Sequence, residues 1–482
     1  MGHLRCASRR ADWSDRAASQ AGTPRLRTRG QTLPADGRPR EGRAVIALAS
    51  LLLACSAAPQ PVAPITYRPR RIAQGWPATP PAASGPDIVL VILDDVGYQD
   101  LIAVRDAGYL PNLTAMAAAG FVFTNASACP ICSPTRRAML FGDFYSRQSG
   151  YGCNPPTMEE PPATAVSIAQ RMSGTGHTSA FFGKWHLGAD PNGGPWQSEV
   201  QARGWDVWRA GIPYFVSGCG GNNYSYWVDV EDGSSSFSLS YQPPVMAQKF
   251  AAFWTGTSGP RFAVFSTQLA HLPYHRPPAG MLPSGYPPTP SDRDKYEAMI
   301  AAADFQVGQL LAVAPLATTV YLVVGDNGTP GALAPDPTRA KGTTFQRGVH
   351  VPLFLAGAGI SPGSSQALVS VADIYATIAE IAGAPGPIGS DSVSLVPILT
   401  GAGTVAHTKI AYGIQGDTPQ FKDDLAARTI QFKLRRWRAD PGQPWTEEMY
   451  DLFADINEQE NVLSEYPAKA ASLRAFIEQE MP

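Results

Sequence analysis

Long runs of apolar residues mark four predicted strands in the central part of this 482-residue chain. The runs lie within residues 87–95, 261–268, 318–327 and 350–357. Continuous apolar runs are typical of strands whose two faces are both covered, whereas half-exposed strands alternate apolar and polar residues. The pattern therefore predicts a sheet that is buried on both sides.

Helical stretches lie between these runs, at residues 110–120, 163–174 and 295–312. Strands that alternate with helices indicate an α/β fold. We expect a large mixed, mostly parallel sheet flanked by helices, in a main domain that spans residues 87–399.

A smaller second unit is predicted at residues 400–482. Residues 429–439 and 447–455 carry short patterns that are compatible with an antiparallel sheet and a closing helix. We therefore expect a C-terminal α+β domain built on an antiparallel sheet.

The N-terminal segment differs from a folded domain. Residues 1–43 contain ten arginines and few large apolar side chains, a composition that favours disorder. The segment is also longer than the basic region of a normal signal peptide, so a start assigned too early is the alternative. The apolar run in residues 44–55 is too short to span a bilayer but fits a signal-peptide core. Its end resembles a lipobox with Cys55 as the lipidated residue, and a proline-rich tether follows at 56–86. We expect export, as a periplasmic protein or a membrane-anchored lipoprotein; ordinary signal cleavage and a buried helix are the alternatives.

Composition adds little about partners. The chain is 44% hydrophobic and 16% charged, and its formal net charge is −2. A balance so close to neutral gives no basis for nucleic-acid binding by bulk electrostatics. Any basic groups that matter must therefore be local.

Acidic and amide side chains follow two of the predicted strands. Asp94 and Asp95 end the first run, and Asp326 and Asn327 end the third. Ligands of α/β sheets bind beyond the carboxyl ends of the strands, and carboxylate and amide oxygens suit Ca²⁺ or Mg²⁺. A metal site is therefore one interpretation, and acidic turn or cap residues are the other.

Two of six cysteines occur in the short stretch CPICSPTRRAMLFG, as Cys129 and Cys132. A redox or zinc Cys-x-x-Cys, half of a disulfide, and a cysteine with its own chemistry are three interpretations. No second pair of ligands lies nearby, which disfavours zinc. Cys153 and Cys219 offer further disulfide partners, and the sequence leaves the pairing open.

Basic and imidazole side chains recur elsewhere. Lys184 and His186 lie one residue apart in GKWHLG, so an extended segment would present both on one face. A cation beside a proton donor suits an anionic substrate whose leaving group needs a proton. His271 and Lys341 occur in loops. Each of these residues also has an ordinary structural interpretation.

Taken together and in this order, the motifs resemble those of the type I sulfatases, which belong to the alkaline-phosphatase superfamily. The resemblance covers about residues 86–465 and would make 87–399 the catalytic domain. Its motifs are Asp94-Asp95-Val96-Gly97, Cys132-Ser133-Pro134-Thr135-Arg136, Gly183-Lys184-Trp185-His186-Leu187-Gly188, His271-x-Pro273, Asp326-Asn327-Gly328 and Lys341.

The resemblance implies a role for each motif residue. A formylglycine-generating enzyme would convert Cys132 to formylglycine, whose hydrated form attacks sulfur. Arg136 would stabilise the ionised diol, and His186 would assist in regenerating the aldehyde. The implied ligands of Ca²⁺ or Mg²⁺ are Asp94, Asp95, Cys132 as formylglycine, Asp326 and Asn327. The implied sulfate-binding residues are Lys184, His271 and Lys341, with His271 or Lys341 protonating the leaving group.

Some positions depart from the family pattern. Thr135 replaces the commoner serine or alanine, and Phe141 stands where a threonine is usual. Gln346 and Arg347 stand where Glu-Gly is common, close to Lys341. The Cys-Pro-Arg core that the modifying enzyme needs is intact.

The resemblance implies hydrolysis of an aryl or carbohydrate sulfate. A phosphonate or phosphodiester hydrolase of the same superfamily and a non-catalytic binder of sulfated ligands are the alternatives. Residues 208–227 are rich in aromatic side chains that suit either an aryl group or a sugar face. We expect them to form one wall of the leaving-group pocket.

Overall fold

The computed structural model describes residues 85–144, 161–187, 200, 202–212, 224–232, 234–384, 391–415, 423–440 and 442–481. The predicted disordered segment 1–43, the predicted signal segment 44–55 and nearly all of the tether 56–86 lie outside these residues. Cys153, Cys219 and the middle of the stretch 208–227 also lie outside them.

Strands form two sheets within the described residues. The strands are β1 Asp87–Leu93, β2 Phe121–Ser127, β3 Thr178–Gly183, β4 Val207–Ile212, β5 Trp227–Glu231, β6 Ser234–Ser238, β7 Arg261–Ser266, β8 Thr319–Gly325, β9 His350–Gly357, β10 Gly363–Ser365, β11 Val369–Ser370, β12 Ile410–Gln415, β13 Asp423–Arg428, β14 Phe432–Arg438 and β15 Thr446–Asp451.

Helices flank these sheets. The α-helices are α1 Tyr98–Asp106, α2 Pro111–Ala119, α3 Cys132–Phe141, α4 Ile168–Met172, α5 Gln242–Gly256, α6 Asp292–Val313, α7 Gln346–Val349, α8 Asp373–Ile381, α9 Val396–Leu399 and α10 Pro467–Glu480. Short 3₁₀ helices occur at Ala279–Met281, Gly331–Leu333 and Pro337–Arg339.

The larger sheet has the strand order β10-β2-β9-β8-β1-β7-β3-β4-β5-β6, and β11 also pairs with β2. Its centre is parallel, because β1 pairs in parallel with both β7 and β8, and β3 pairs in parallel with β7 and β4. Antiparallel pairs occur toward its edges, where β9 joins β8 to β2 and where β5 joins β4 to β6. The mixed, mostly parallel sheet confirms the predicted fold class.

Both faces of this sheet are covered. Along β1 every residue is buried, and alternate side chains belong to two separate apolar clusters: Ile88, Leu90 and Ile92 to one, Val89 and Val91 to the other. Helices α3, α4 and α8 contribute to the first cluster, and α2, α5 and α6 to the second. This double burial explains why the central strands are continuous apolar runs.

The smaller sheet is antiparallel, with the order β12-β13-β14-β15. Helix α10 packs its Leu473 and Ile477 against Leu425 and Leu434 of the sheet. The antiparallel sheet and the closing helix predicted near the C-terminus are therefore present.

Two local expectations differ from the structure. The helix expected over residues 163–174 is confined to Ile168–Met172, because Ser167 caps it through a bond from the Gln170 N–H at 3.0 Å. Seven further strands of the large sheet, β2 to β6, β10 and β11, were not distinguished in the sequence. Their segments are short, and β5 and β6 carry polar side chains that an apolar-run criterion misses.

Candidate active site

The carboxyl ends of β1 and β8 bring four polar side chains together. Asp94, Asp95, Asp326 and Asn327 are all buried. Asp95 has a φ of 62°, and its N–H donates to Asp326 Oδ1 at 2.9 Å. The Asn327 side-chain amide donates to Asp95 Oδ1 at 2.8 Å. The two neighbouring strand ends therefore form one acidic cluster, as their sequence positions predict.

Cys132 lies at the first position of helix α3 and is buried. Its Sγ is 3.0 Å from Asn327 Oδ1 and 3.8 Å from one oxygen of both Asp94 and Asp95. The N-terminus of a helix carries a partial positive charge that stabilises a nearby anion. The helix therefore contributes positive potential at the position of the Cys132 side chain.

Arg136 lies one helical turn after Cys132 and is also fully buried. Its Nε and Nη2 donate to Asp326 Oδ2 at 3.0 and 2.8 Å. Its Nη1 donates to the Lys184 carbonyl at 2.7 Å and to Ser266 Oγ at 2.6 Å. The guanidinium thus joins the ends of β8, β3 and β7.

Two lysines approach the cluster from different segments. Lys184 Nζ is 2.7 Å from Asp94 Oδ2 and 3.7 Å from Cys132 Sγ. Lys341 Nζ is 2.5 Å from Asp95 Oδ1 and 3.2 Å from Cys132 Sγ. The sulfur therefore has a cation on two sides.

Glycine at the end of β3 directs Lys184 into the site. Gly183 has a φ of +92°, and a Cβ there would lie 2.0 Å from the Ser266 carbonyl oxygen. The Lys184 N–H donates to that same oxygen at 3.1 Å. Only glycine allows β3 and β7 to approach this closely while the chain turns.

The two predicted histidines also reach the cluster. Burial, and then the charge of Lys184, lower the pKa of His186 to about 4, and His186 hydrogen bonds with Cys132. His271 Nε2 is 3.9 Å from Asp95 Oδ2. Its Nδ1 donates to the Leu272 carbonyl at 2.9 Å, and burial lowers its pKa to about 3. Both imidazoles are therefore neutral near pH 7.

Burial and ion pairing move the pKa values of the carboxyl groups apart. Desolvation raises the pKa of Asp94 well above its ordinary value, even though Lys184 opposes this. Burial acts in the same direction on Asp95, but the charge of Lys341 opposes it, and the net effect lowers the pKa of that residue. Carboxyl groups with such divergent pKa values in one buried cluster are typical of functional sites.

The donor set fits a hard divalent cation. Asp94, Asp95, Cys132 and Asp326 each offer an atom, and these atoms all lie within 4.8 Å of one another. Three buried carboxylates and one amide oxygen are the ligands that Ca²⁺ and Mg²⁺ prefer. These residues could therefore hold such an ion.

The structure brings every predicted site residue into one cluster. Its members are Asp94, Asp95, Cys132, Arg136, Lys184, His186, His271, Asp326, Asn327 and Lys341.

Sequence reasoning missed three supporting side chains. Ser266 Oγ donates to the Lys184 carbonyl at 2.8 Å. Tyr296 OH lies 2.8 Å from the Asp95 carbonyl and 3.0 Å from Asp100 Oδ2. Ser266 ends an apolar run, as the acidic pairs do, and this position is the signal by which the sequence could have identified it as a site residue. Tyr296 and Asp100 lie inside helices, where nothing in the local pattern indicates a role.

Cys129 does not compete with Cys132 for a disulfide bond. Neither cysteine is in a disulfide bond, and both are buried. Cys129 packs in the apolar cluster of the small sheet, and burial raises its pKa to about 12. Its thiol is therefore an unreactive core group.

Comparisons with known proteins agree with this geometry. The family model named Sulfatase matches residues 86–384, more than half of the chain. Arylsulfatase A of Bos taurus is 28% identical over 392 residues, which cover 73% of this chain and 75% of that protein. N-acetylgalactosamine-6-sulfatase of Sus scrofa is 26% identical over 400 residues, which cover 74% of this chain and 72% of that protein.

Solved structures share the fold. A structure of Ps i-CgsB in complex with k-i-k-neocarrahexaose has a TM-score of 0.67 at 22% identity and covers 82% of this chain and 92% of its own. The PsFucS1 sulfatase from Pseudoalteromonas sp. has a TM-score of 0.63 at 17% identity, with coverages of 82% and 90%.

Fold and site together define a hydrolase of the alkaline-phosphatase type. Within that class, the chain belongs to the formylglycine-dependent sulfatase family and is a sulfuric ester hydrolase. None of the described helices combines the length and the apolar character needed to cross a bilayer.

Proposed function

We propose that this enzyme hydrolyses an aryl or carbohydrate sulfate monoester, with Cys132 as its nucleophilic residue after conversion to formylglycine. The observation that carries the proposal is the position of Cys132. Its side chain lies at a helix N-terminus, between two lysine ammonium groups and beside three buried carboxylates. A nucleophile and an anionic group would both be stabilised there.

The proposed reaction has two covalent steps. One hydroxyl of the hydrated formylglycine loses its proton to solvent, and its oxygen bonds to sulfur as the bond from sulfur to the leaving oxygen breaks. The leaving oxygen takes up a proton from an acid of the site. The second hydroxyl then loses its proton to His186, the carbonyl re-forms, and the carbon–oxygen bond to sulfate breaks. Water rehydrates the aldehyde. Asp94, Asp95, Asp326 and Asn327 would hold Ca²⁺ or Mg²⁺, which would supply positive charge beside the nucleophile.

We assign the leaving-group proton to Lys341 rather than to His271. Because His271 Nδ1–H donates to a carbonyl, the Nε2 that faces the site carries no proton in the neutral ring. Lys341 is protonated: burial lowers its pKa, but Asp95 and the other acidic groups raise it further, well above the ordinary value. Lys341 therefore holds a proton that it can donate.

The charges of the cluster fit a singly charged ester. Three buried carboxylates face the three cations Arg136, Lys184 and Lys341. A divalent ion would leave an excess of two positive charges, which an ionised diol and a sulfate monoester together would neutralise. Burying charges without such compensation is strongly unfavourable.

Substrate class needs a direct assay, because phosphonate monoesters and phosphodiesters carry the same single charge. The relatives are named as an arylsulfatase and as a carbohydrate sulfatase, which supports a sulfate ester of either kind. We expect kcat/KM for 4-nitrophenyl sulfate to exceed that for bis-4-nitrophenyl phosphate. A higher kcat/KM for bis-4-nitrophenyl phosphate would instead indicate a phosphodiester hydrolase.

The nucleophile is tested by mass spectrometry of the peptide that contains Cys132, from protein made in its native host. Conversion of the thiol to an aldehyde lowers the peptide mass by about 18 Da. A converted peptide together with sulfatase activity supports the mechanism. An unmodified thiol in active protein would refute it, and an unmodified thiol in inactive protein would favour the non-catalytic binder.

We also propose export and a two-domain division, with a catalytic domain at 87–399 and a C-terminal subdomain at 400–482. The basic segment 1–43, the apolar segment 44–55 and the tether 56–86 support export through their composition. Cell fractionation of the native protein and of a Cys55→Ala variant tests lipid anchoring. Release of only the variant from the membrane fraction is expected, whereas identical fractionation of both would contradict anchoring.

A further inference from the structure

The segment that carries Lys341 lies between the large and the small sheet. We call residues 339–346 the lysine loop. On the side of the large sheet, the Lys341 N–H donates to the Thr329 carbonyl, and the Gly342 N–H donates to the Pro130 carbonyl, both at 2.9 Å. Thr344 and Gln346, at the other end of the loop, are buried and take their partners from the C-terminal unit.

Strands β13 and β14 bind every polar group of Thr344. Its N–H donates to Asp424 Oδ2 at 3.0 Å, and its hydroxyl donates to Asp424 Oδ1 at 2.6 Å. Its carbonyl accepts a bond from Lys433 Nζ at 2.6 Å. Both charged residues are fully buried, so these bonds are shielded from water and are correspondingly strong.

A third buried charge holds the two ends of the lysine loop. Glu458 is 1% exposed and accepts a bond from the Gln346 N–H through Oε2 at 2.5 Å. Its own carbonyl accepts a bond from Arg339, and its carboxylate pairs with Lys433. Beginning and end of the loop are therefore bound to one residue.

An aromatic side chain fixes the loop in addition. The Phe345 ring packs between guanidinium groups, with the Cζ atoms of Arg339 and Arg435 at 4.6 and 4.3 Å from its centroid. Arg435 in turn forms a bidentate pair with Asp424 at 2.9 and 3.0 Å. Cation–π contacts of this kind gain strength when they are desolvated.

Stability alone does not account for this arrangement. A buried ion pair contributes little net stability compared with apolar residues of the same size. These charges are instead bonded to main-chain groups of one short loop, and that loop carries a proposed catalytic lysine. The side chain of Lys341 starts three residues before Thr344 and reaches Asp95 and Cys132.

We propose that the C-terminal sheet is part of the catalytic apparatus, with Asp424, Lys433 and Glu458 as positioning residues that set the place of the Lys341 ammonium group. This inference rests on the proposed role of Lys341. A shift of about 1 Å in such a group can lower the rate by about 100-fold. The C-terminal unit therefore acts on the reaction without contacting the substrate.

Two variants loosen the loop to different degrees. Asp424→Asn removes the charge that binds Thr344, and Thr344→Val removes only the hydroxyl bond and leaves the pair of Asp424 with Arg435. The matched control is Glu447→Gln, because Glu447 pairs with Arg474 and Arg436 of the same unit. Within the described part of the chain it has no hydrogen bond or ion pair with the lysine loop. We expect kcat/KM for 4-nitrophenyl sulfate to fall about 10-fold or more in Asp424→Asn, less in Thr344→Val, and under twofold in the control.

A double-mutant cycle separates positioning from general destabilisation. In a Lys341→Ala background, Asp424→Asn should lower kcat/KM by less than about twofold, because the group that it positions is gone. Calorimetric titration with inorganic sulfate gives a second readout that needs no turnover: its Kd should rise in Asp424→Asn but not further in the double variant. The inference would be overturned if the effects of Asp424→Asn and Lys341→Ala on kcat/KM were fully additive. It would also be overturned if Glu447→Gln lowered kcat/KM as much as Asp424→Asn does. An unaffected Lys341→Ala enzyme would instead refute the proposed role of Lys341.

Discussion

At the scale of single residues, Arg136 shows how the site depends on the planar guanidinium group, whose nitrogen atoms donate in several directions. Its three nitrogen atoms contact Asp326, Ser266 and the Lys184 carbonyl, and a lysine has one nitrogen for these positions. We expect Arg136→Lys to lower kcat/KM about 100-fold with an unchanged circular dichroism spectrum. The control, Arg105→Lys, alters an exposed pair with Asp106 and should leave activity intact. Similar rates in both variants would contradict the assignment.

At the scale of elements, the close approach of β3 and β7 sets the direction of Lys184. Gly183 and Gly108 both have positive φ, but a Cβ would meet the Ser266 carbonyl at 2.0 Å in the first and nothing within 4 Å in the second. Gly108→Ala should therefore cost only backbone strain, about 1 kcal/mol in the free energy of unfolding. Gly183→Ala should cost at least about 2 kcal/mol more, because the strands must separate. Urea denaturation measures both, and equal losses would contradict this account.

At the scale of the whole molecule, a buried histidine predicts loss of stability in acid. Burial, and then the charge of Arg428, lower the pKa of His350 from 6.5 to about 4. Its Nε2–H donates to the Thr124 carbonyl at 3.0 Å, and its Nδ1 has no hydrogen-bond partner among the described residues. As the pH falls below 6.5, the unfolded chain takes up a proton that the folded chain does not. Stability therefore decreases down to about pH 4, by about 3 kcal/mol for this group.

Urea denaturation between pH 7 and pH 4 checks this expectation. The slope of the unfolding free energy against pH should be smaller in His350→Gln. The difference should reach at most the slope that uptake of one proton produces, about 1.4 kcal/mol per pH unit. An unchanged slope would show that other groups cause the acid sensitivity.

Local sequence determined much of this protein. The apolar runs of β1, β7, β8 and β9 are visible because residues buried on both faces of a sheet must be apolar whatever their neighbours are. The acidic pairs after β1 and β8 predicted a site at the carboxyl edge of the sheet, since that edge follows from strand direction. The resemblance then named the remaining members of the cluster, from Cys132 to Lys341.

Tertiary structure alone decided how these residues are held. Tyr296 and Ser266 support the site from a helix and a strand that are distant in sequence, and Asp424 and Glu458 bind the lysine loop across 80 and 112 positions of chain. Such bonds leave no trace in local periodicity, because a buried carboxylate in a strand looks like any acidic residue until its partner is known. Sequence order therefore predicted which residues form the cluster, and long-range packing decided where their side chains are placed.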